Sequence, residues 1–232
     1  MVLWPDSFTN YLAPEIGVAA TRVLQSLGFQ VLLPAGGVCC GLTWITTGQL
    51  ATARRVLERS VQVLERGPVD VPIAGLEPSC TVALQDDLPR LVPGAAAAGV
   101  AARVETFAAF VDREADDDQL PRLGGRALAQ PHCHQDAAMG FDADQRLLRR
   151  TGVDASRIDP SCCGLAGNFG FEAGHYLVSQ AVGERAVLPA VRAAGDDTTI
   201  LADGFSCRTQ IEQGTDRRAV HLAQLLAAGL PD

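Results

Sequence analysis

Lysine is absent from this chain of 232 residues: all 19 of its basic residues are arginine. Schiff-base and lysine-nucleophile chemistry are thereby excluded. Positive charge is scarce overall, with 27 acidic residues and a formal net charge of −8. So acidic a chain offers no basic footprint, and neither nucleic acid nor an anionic membrane surface is expected as a partner. Long apolar runs are missing too. The run from Gly94 to Ala102 ends at Arg103, far short of the roughly 18 residues that cross a bilayer, so no direct membrane insertion is expected. The segment Met1-Val-Leu-Trp-Pro-Asp6 has no basic start and no apolar stretch of signal-peptide type. The expected location is the cytoplasm, with any membrane contact made through a partner.

What is present is an ordinary globular composition, 47% hydrophobic and 20% charged, together with seven cysteines. Structural disulfides are rare in the cytosol, and an odd count with two adjacent pairs makes a poor disulfide framework. Metal or redox chemistry is the better reading of these thiols. Cys39-Cys40-Gly41-Leu42 recurs as Cys162-Cys163-Gly164-Leu165. Cys80 follows Cys40 by 40 residues and Cys207 follows Cys163 by 44, each at the end of a segment with Ile seven residues earlier and Ser immediately before. A repeat of this length is domain duplication, not a solenoid.

Hydrophobic periodicity repeats as well. The first half predicts strands at Val2–Trp4, Phe29–Leu33 and Pro72–Leu76, with helices over Pro14–Leu27, Gly48–Arg66 and Thr81–Leu91. The second half predicts strands at Arg126–Gln130, near Ile158 and at Thr198–Ala202. Its predicted helices cover Gln135–Arg150, Tyr176–Ala194, Arg208–Gln213 and His221–Ala228. Alternating strands and helices give an α/β fold with mainly parallel sheets, built as two duplicated half-domains about an approximate twofold. The expected boundaries are 1–114 for the first half, 115–125 for a linker rich in Asp, Pro and Gly, and 126–232 for the second half. Trp4 and Trp44 read as packing residues, His175 and His221 as helix starts.

Each cysteine set falls after a predicted strand and before a helix. Open α/β sheets place ligands at strand C-termini, and helix N-termini lower thiol pKa values. Adjacent Cys side chains diverge, so one pair does not readily chelate a single zinc, whereas a multi-iron cluster offers several vertices. Gly41 and Gly164 would leave room for the backbone to approach such a group.

The doubled Cys-Cys-Gly, with one Cys upstream and another about 40 residues downstream, resembles the cysteine-rich CCG domain. That domain occurs in the glycolate oxidase iron–sulfur subunit and in subunits of heterodisulfide reductase and of anaerobic glycerol-3-phosphate dehydrogenase. Pro131-His-Cys-His-Gln135, Ser161-Cys-Cys-Gly-Leu-Ala-Gly-Asn-Phe-Gly170 and Ala202-Asp-Gly-Phe-Ser-Cys-Arg-Thr-Gln-Ile211 look most like the C-terminal part of fused FAD-linked D-lactate and D-2-hydroxyglutarate dehydrogenases. The resemblance implies an iron–sulfur cluster, [4Fe–4S] in type, on Cys133, Cys162, Cys163 and Cys207. It extends the same role to Cys39, Cys40 and Cys80. His132, His134, Asp203 and Arg208 would surround the ligands, and no residue would be catalytic. The family's last Cys is Gln210 here, Ala83 stands at the same place in the first half, and the upstream Cys of that half is replaced within Asp6-Ser-Phe-Thr9.

The chain has no dinucleotide fingerprint, since Gly164, Gly167 and Gly170 are wrongly spaced, and no ferredoxin-type cysteine run. The resemblance therefore implies an electron-transfer module, natural subunit or fragment, that takes electrons from FAD on a partner oxidase domain or subunit. The parent substrate would be a 2-hydroxy acid such as glycolate, D-lactate or D-2-hydroxyglutarate. A thiol/disulfide subunit of heterodisulfide-reductase type and a zinc-binding or structural scaffold stand as alternatives.

Overall fold

The computed structural model describes residues 1–231. The chain divides into two compact units, Met1–Glu114 and Ala115–Asp232. The first runs β1 (Val2–Trp4), α1 (Ser7–Leu12), α2 (Pro14–Ser26), α3 (Leu42–Thr46), α4 (Leu50–Glu65), β2 (Ile73–Gly75), α5 (Pro78–Val82), α6 (Leu88–Leu91), α7 (Ala95–Arg103), β3 (Val104–Thr106) and α8 (Phe107–Glu114). The second runs β4 (Arg126–Ala129), α9 (Cys133–Ala138), α10 (Asp142–Arg150), β5 (Asp154–Arg157), α11 (Tyr176–Gly183), α12 (Val187–Ala193), β6 (Thr198–Leu201), α13 (Phe205–Gly214), β7 (Ala219–Val220) and α14 (Leu222–Ala228).

Each unit is built on a parallel sheet, as the alternating pattern predicts. In the first, β1 pairs with β2 and β2 with β3, while Val2 bridges Leu32 on the open side of β1. In the second the order is β5-β4-β6-β7. Both sheets thus place the second extended segment outside the first, then the third and fourth on the other side. Central strands are short and apolar because both faces are covered: β1 and β2 are buried at every residue. The edge strand β5 reads Asp-Ala-Ser-Arg and is partly exposed throughout, as suits an edge that must stay wet.

Several elements depart from the sequence reading, each for a local reason. Residues 29–33 contribute only the bridge at Leu32. The helix expected over 81–91 begins earlier, at Pro78, and passes through a π-turn at Ala83–Asp87. Pro89 lies one turn on; it has no N–H to donate and its ring crowds the carbonyl four residues back, so the ladder widens. The helix expected over 135–150 breaks into α9 and α10 at Gly140, whose φ is +78°. Helices α1, α3, α7 and α8 and strands β3 and β7 carry too little periodicity to announce themselves. Trp4 is fully buried, whereas Trp44 is 37% exposed and belongs to no core. His175 and His221 are the N-caps of α11 and α14. No helix among the described residues is long and apolar enough to cross a membrane.

Candidate metal centre

Parallel pairing brings the strand C-termini of each unit to one edge, and the cysteines collect there. In the first unit Trp4 lies beside Gly75, so Asp6 and Glu77 emerge together, each two residues further on. Cys80 sits in the first turns of α5. Cys39 and Cys40 arrive from the loop before α3, held by Ser60, whose Oγ accepts from the Cys39 N–H at 3.0 Å and donates to the Cys39 carbonyl at 2.9 Å. The Cys40 and Cys80 sulfurs are 2.9 Å apart, both buried in the unit's core. Cys39, half-buried, touches Cys40 and accepts the Gly41 N–H at 3.4 Å.

The second unit repeats this with one more thiol. Cys133 is the first residue of α9 and Cys207 the third of α13. Cys133 contacts Cys162, Cys162 contacts Cys163, and Cys163 contacts Cys207. The Cys162 sulfur accepts the Gly164 N–H at 3.3 Å. Cys163 and Cys207 lie in the core, Cys162 is half-buried and Cys133 is exposed. The four sulfurs therefore form an unbroken path from the core to the surface.

Thiol pKa values do not follow the expected helix-N-terminus effect, because sulfur–sulfur contact and burial dominate over helices this short. Contact with Cys40 and then burial raise Cys39. Contact with Cys162 raises both Cys133 and Cys163, reinforced by burial. Contact with Cys39 favours the Cys40 thiolate, yet Cys80 and burial outweigh it and Cys40 ends well raised. Cys80 is raised although Cys40 donates to it, through burial and the carboxylates of Glu77 and Asp6. Cys162 alone is pushed down, by donation from Cys133 and Cys163 and by the Gly164 N–H.

The surrounding residues divide by role. Burial and neighbouring His134 hold His132 neutral, with its pKa lowered to about 4. Its ring lies against Gly204, where a Cβ would come within 2.4 Å of the ring carbon. His134 is half-buried beside Cys133. Asp203 accepts the Leu222 N–H at 2.8 Å and so fixes the start of α14. Arg208 donates to the carbonyls of Ala202 and Asp203 and shapes the turn before Cys207. Gln210 donates to the Ser179 carbonyl at 3.2 Å and is fully buried, so it ties α13 to α11. Gly164 is required by that same helix: a Cβ there would fall 2.0 Å from the Ser179 carbonyl oxygen. Its smallness thus serves helix approach, where room for an inorganic group was expected. The sequence reading gave no place in the site to Asp6, Glu77, Gln130 or Ser161; strand pairing sets Asp6 near Glu77, and Gln130 bonds to the Ser161 carbonyl.

Two observations bear on what the thiol sets could hold. Among the described residues no three His, Cys, Asp or Glu side chains surround a point fit for one metal ion. Chained sulfurs instead suit a group with several metal vertices. Among the described residues, the buried side-chain polar atoms without a partner are Trp4 Nε1, Asp6 Oδ2, Gln130 Oε1, His132 Nδ1 and Ser161 Oγ. All lie at the ends of β1 and β4 or directly before Cys162, at the two thiol edges. Buried polar groups are rarely left unpaired, and these stand at the strand ends that carry the thiols.

Known proteins resemble the chain over most of its length. The chain is 29% identical over 230 residues to a subunit of the anaerobic glycerol-3-phosphate dehydrogenase of Escherichia coli strain K12, covering 96% of this chain and 57% of that one. It is 25% identical over 224 residues to D-2-hydroxyglutarate dehydrogenase of Pseudomonas putida strain KT2440, covering 95% of this chain and 21% of that one. It is also 25% identical over 246 residues to lactate utilization protein A of Exiguobacterium sp. strain AT1b, covering 99% and 98% of the two chains. The chain thus spans about half the length of the glycerol-3-phosphate relative and a fifth of the hydroxyglutarate one. Residues 7–85 match the family described as cysteine-rich domain, CCG.

Proposed function

We propose that the chain is the iron–sulfur electron-transfer part of an FAD-linked dehydrogenase acting on a small hydroxylated acid or its kin, with FAD on a partner domain or subunit. Cys133, Cys162, Cys163 and Cys207 would hold the cluster, [4Fe–4S] in type. The observation that carries this reading is the continuous contact of these four thiols, running from buried Cys207 to exposed Cys133. Four thiolates match the donor set of a four-iron centre. Such a group, when bound, supplies one-electron transfer. The chain's own residues hold its place: Gly164 and Gln210 clamp the Cys162-Cys163 loop to α11, and Asp203 and Arg208 fix the turn before Cys207. Neutral His132 lies beside the thiols without adding charge. Exposed Cys133 marks the surface where a flavin-bearing partner would dock. The relatives' names supply the substrate range: glycerol 3-phosphate, lactate and 2-hydroxyglutarate.

The test is anaerobic reconstitution with iron and sulfide, followed by metal analysis and electron paramagnetic resonance of the reduced protein. Cys163→Ser should remove about four irons per chain and one spectral component. Unchanged iron and spectrum in that variant would overturn the assignment. The 2.9 Å approach of Cys40 and Cys80 favours a second reading for the first unit, a thiol/disulfide couple. Peptide mapping of anaerobic, iron-loaded protein distinguishes the two, since a Cys40–Cys80 disulfide and ligation by both sulfurs exclude each other.

A further inference from the structure

Helix α2 has two faces, and the core uses only one. Ile16, Ala19, Ala20, Val23 and Leu24 are buried. Gly17, Val18 and Thr21, on the other side, line a cavity of about 420 Å³ whose floor is Leu3 and Trp4 of β1 and Leu76 just beyond β2. We propose that this cavity binds a small amphipathic acid, its apolar body over Leu3, Val18 and Leu76 and its carboxylate on Arg22. The proposal is independent of whether the thiols hold iron.

Position is the first argument. The chain passes from β1 to Leu32 on one side of that strand and then to β2 on the other, so the strand order reverses at β1. Open parallel sheets take ligands in the crevice at the carboxyl ends of the strands, where the order reverses. The cavity touches the ends of β1 and β2 at that place. Leu33, one residue beyond the bridge, joins the lining and is 64% exposed, and Val18 is 61% exposed. Large apolar side chains left wet around one apolar cavity mark a binding surface, as scattered single ones do not.

The second argument is size and lining. Small-molecule sites span about 300–1,000 Å³ and are mostly apolar with a few polar groups, and this cavity fits that description. Leu3, Val18, Leu33 and Leu76 offer surface to an apolar body, whose burial drives binding. The Thr21 hydroxyl is already spent on the Gly17 carbonyl, at 2.8 Å, so the wall of α2 makes little polar demand on an occupant.

Charge is the third argument. Arg22 is the charged residue of the lining, and no acidic side chain accompanies it there. Among the described residues it makes no hydrogen bond or ion pair. Elsewhere in this acidic chain Arg54, Arg113 and Arg192 each hold a carboxylate of their own. Arg22 is exposed, so it stands where the head of an amphipathic ligand stays near water while the tail is buried. Its planar fork of donors matches a carboxylate bidentately.

The test is isothermal titration calorimetry of the full chain with octanoate, which joins a carboxylate to a short apolar chain. Binding should saturate at a single molecule per chain, with the negative heat-capacity change of apolar burial. Octan-1-ol keeps the tail and lactate keeps the carboxylate; each should bind about tenfold more weakly or worse. Arg22→Ala should weaken octanoate about tenfold and leave octan-1-ol unchanged. Leu33→Asp adds a carboxylate to the lining and should weaken octanoate by repulsion or by occupying Arg22. Both residues are exposed, and circular dichroism of the variants controls for folding. Absence of octanoate binding would overturn the proposal, as would octan-1-ol or lactate binding as tightly as octanoate, or an octanoate affinity that either substitution leaves unchanged.

Discussion

The two units share a strand order, a Cys-Cys-Gly loop at the same edge and a Ser-Cys pair at the start of a helix, yet their thiols sit in different surroundings. In the first, Asp6 and Glu77 face Cys80 and both disfavour its thiolate. In the second, donation from Cys133 and Cys163 and the Gly164 N–H favour the Cys162 thiolate, and the histidine beside it, His132, is held neutral by burial. The same strand order thus carries a carboxylate-flanked set of three thiols in one unit and a histidine-flanked set of four in the other. Strand ends fix where the donors stand, while the residues two or three positions further along fix what they can bind. Repeated architecture therefore does not imply repeated chemistry. The comparison also separates the two glycines of the repeated motif, which are equal in sequence and unequal in structure.

The largest effect is expected where that inequality is greatest. Gly164 has φ +102°, and a Cβ would lie 2.0 Å from the Ser179 carbonyl oxygen and 3.1 Å from the Gln210 amide nitrogen. Backbone cannot yield as a flexible side chain can, so Gly164→Ala should cost about 4 kcal/mol and release the Cys162-Cys163 loop from α11. Gly41 has φ +74°, but its nearest neighbours would be Leu57 Cγ at 3.4 Å and the Ala53 carbonyl at 3.5 Å. Gly41→Ala should therefore cost only the left-handed strain, about 1 kcal/mol. Urea titration of the two metal-free variants checks the ratio. Equal midpoint shifts would show that the two loops are held alike.

A smaller effect is expected at the positions that replace the family's last cysteine. Gln210 is fully buried, donates to the Ser179 carbonyl and accepts from Gln180 at 3.4 Å. Gln210→Ala removes the tie and strands the Ser179 carbonyl, at a cost of about 2 kcal/mol. Iron binding on Cys133 and Cys162 should weaken with it. Gln210→Cys should regain the packing less well than the ligand: the thiol is shorter and cannot reach the partners that the amide holds. Ala83, also fully buried, lies in the π-turn against the core and makes no comparable bond. Hydrogen exchange of α11 amides in Gln210→Ala reports the loosening, and protection equal to wild type would remove Gln210 from this structural role.

Much of this contrast is legible in the amino-acid sequence alone. The repeat stands out because cysteines are few and Cys-Cys-Gly-Leu is a local pattern, and the parallel α/β class follows from alternating periodicity. Boundaries are lost where chemistry is local but weak. Six of the nine residues of Ala95–Arg103 are alanine, β3 is three residues long, and Gly140 breaks one expected helix into two. The surroundings of the thiols are hidden for another reason. Asp6 meets Glu77 only because Trp4 pairs with Gly75, and Gln130 meets Ser161 through a 3.2 Å bond from its amide to the Ser161 carbonyl. These are facts of strand register, which sequence periodicity does not encode. The roles of Asp203 and Arg208 are blurred likewise: neighbours of Cys207 in sequence, they spend their hydrogen bonds on backbone.

The smallest effect is expected at Trp44, and it sharpens the contrast between core and rim of the first unit. Both tryptophans read as packing residues in sequence, because side chains of that size are usually buried. Trp4 ends β1 with no exposure at all and belongs to the core that also contains Cys40 and Cys80. Trp44 stands on α3, a helix of five residues with no buried member, directly after the Cys39-Cys40-Gly41 turn. Trp44 is 37% exposed, so truncation removes little buried area and leaves no cavity. Trp44→Ala should shift metal-free stability by no more than about 0.5 kcal/mol, the usual range for surface substitutions. Trp4→Ala, by contrast, removes a fully buried ring and should cost about 4 kcal/mol. Fluorescence separates the two without denaturant. In Trp44→Phe the remaining emission should come from Trp4, blue-shifted and resistant to acrylamide, whereas Trp4→Phe should leave a red-shifted, quenchable signal. A protected Trp44 would mean that α3 is covered in solution, and the loop carrying Cys39 would then be less open than its half-buried sulfur indicates.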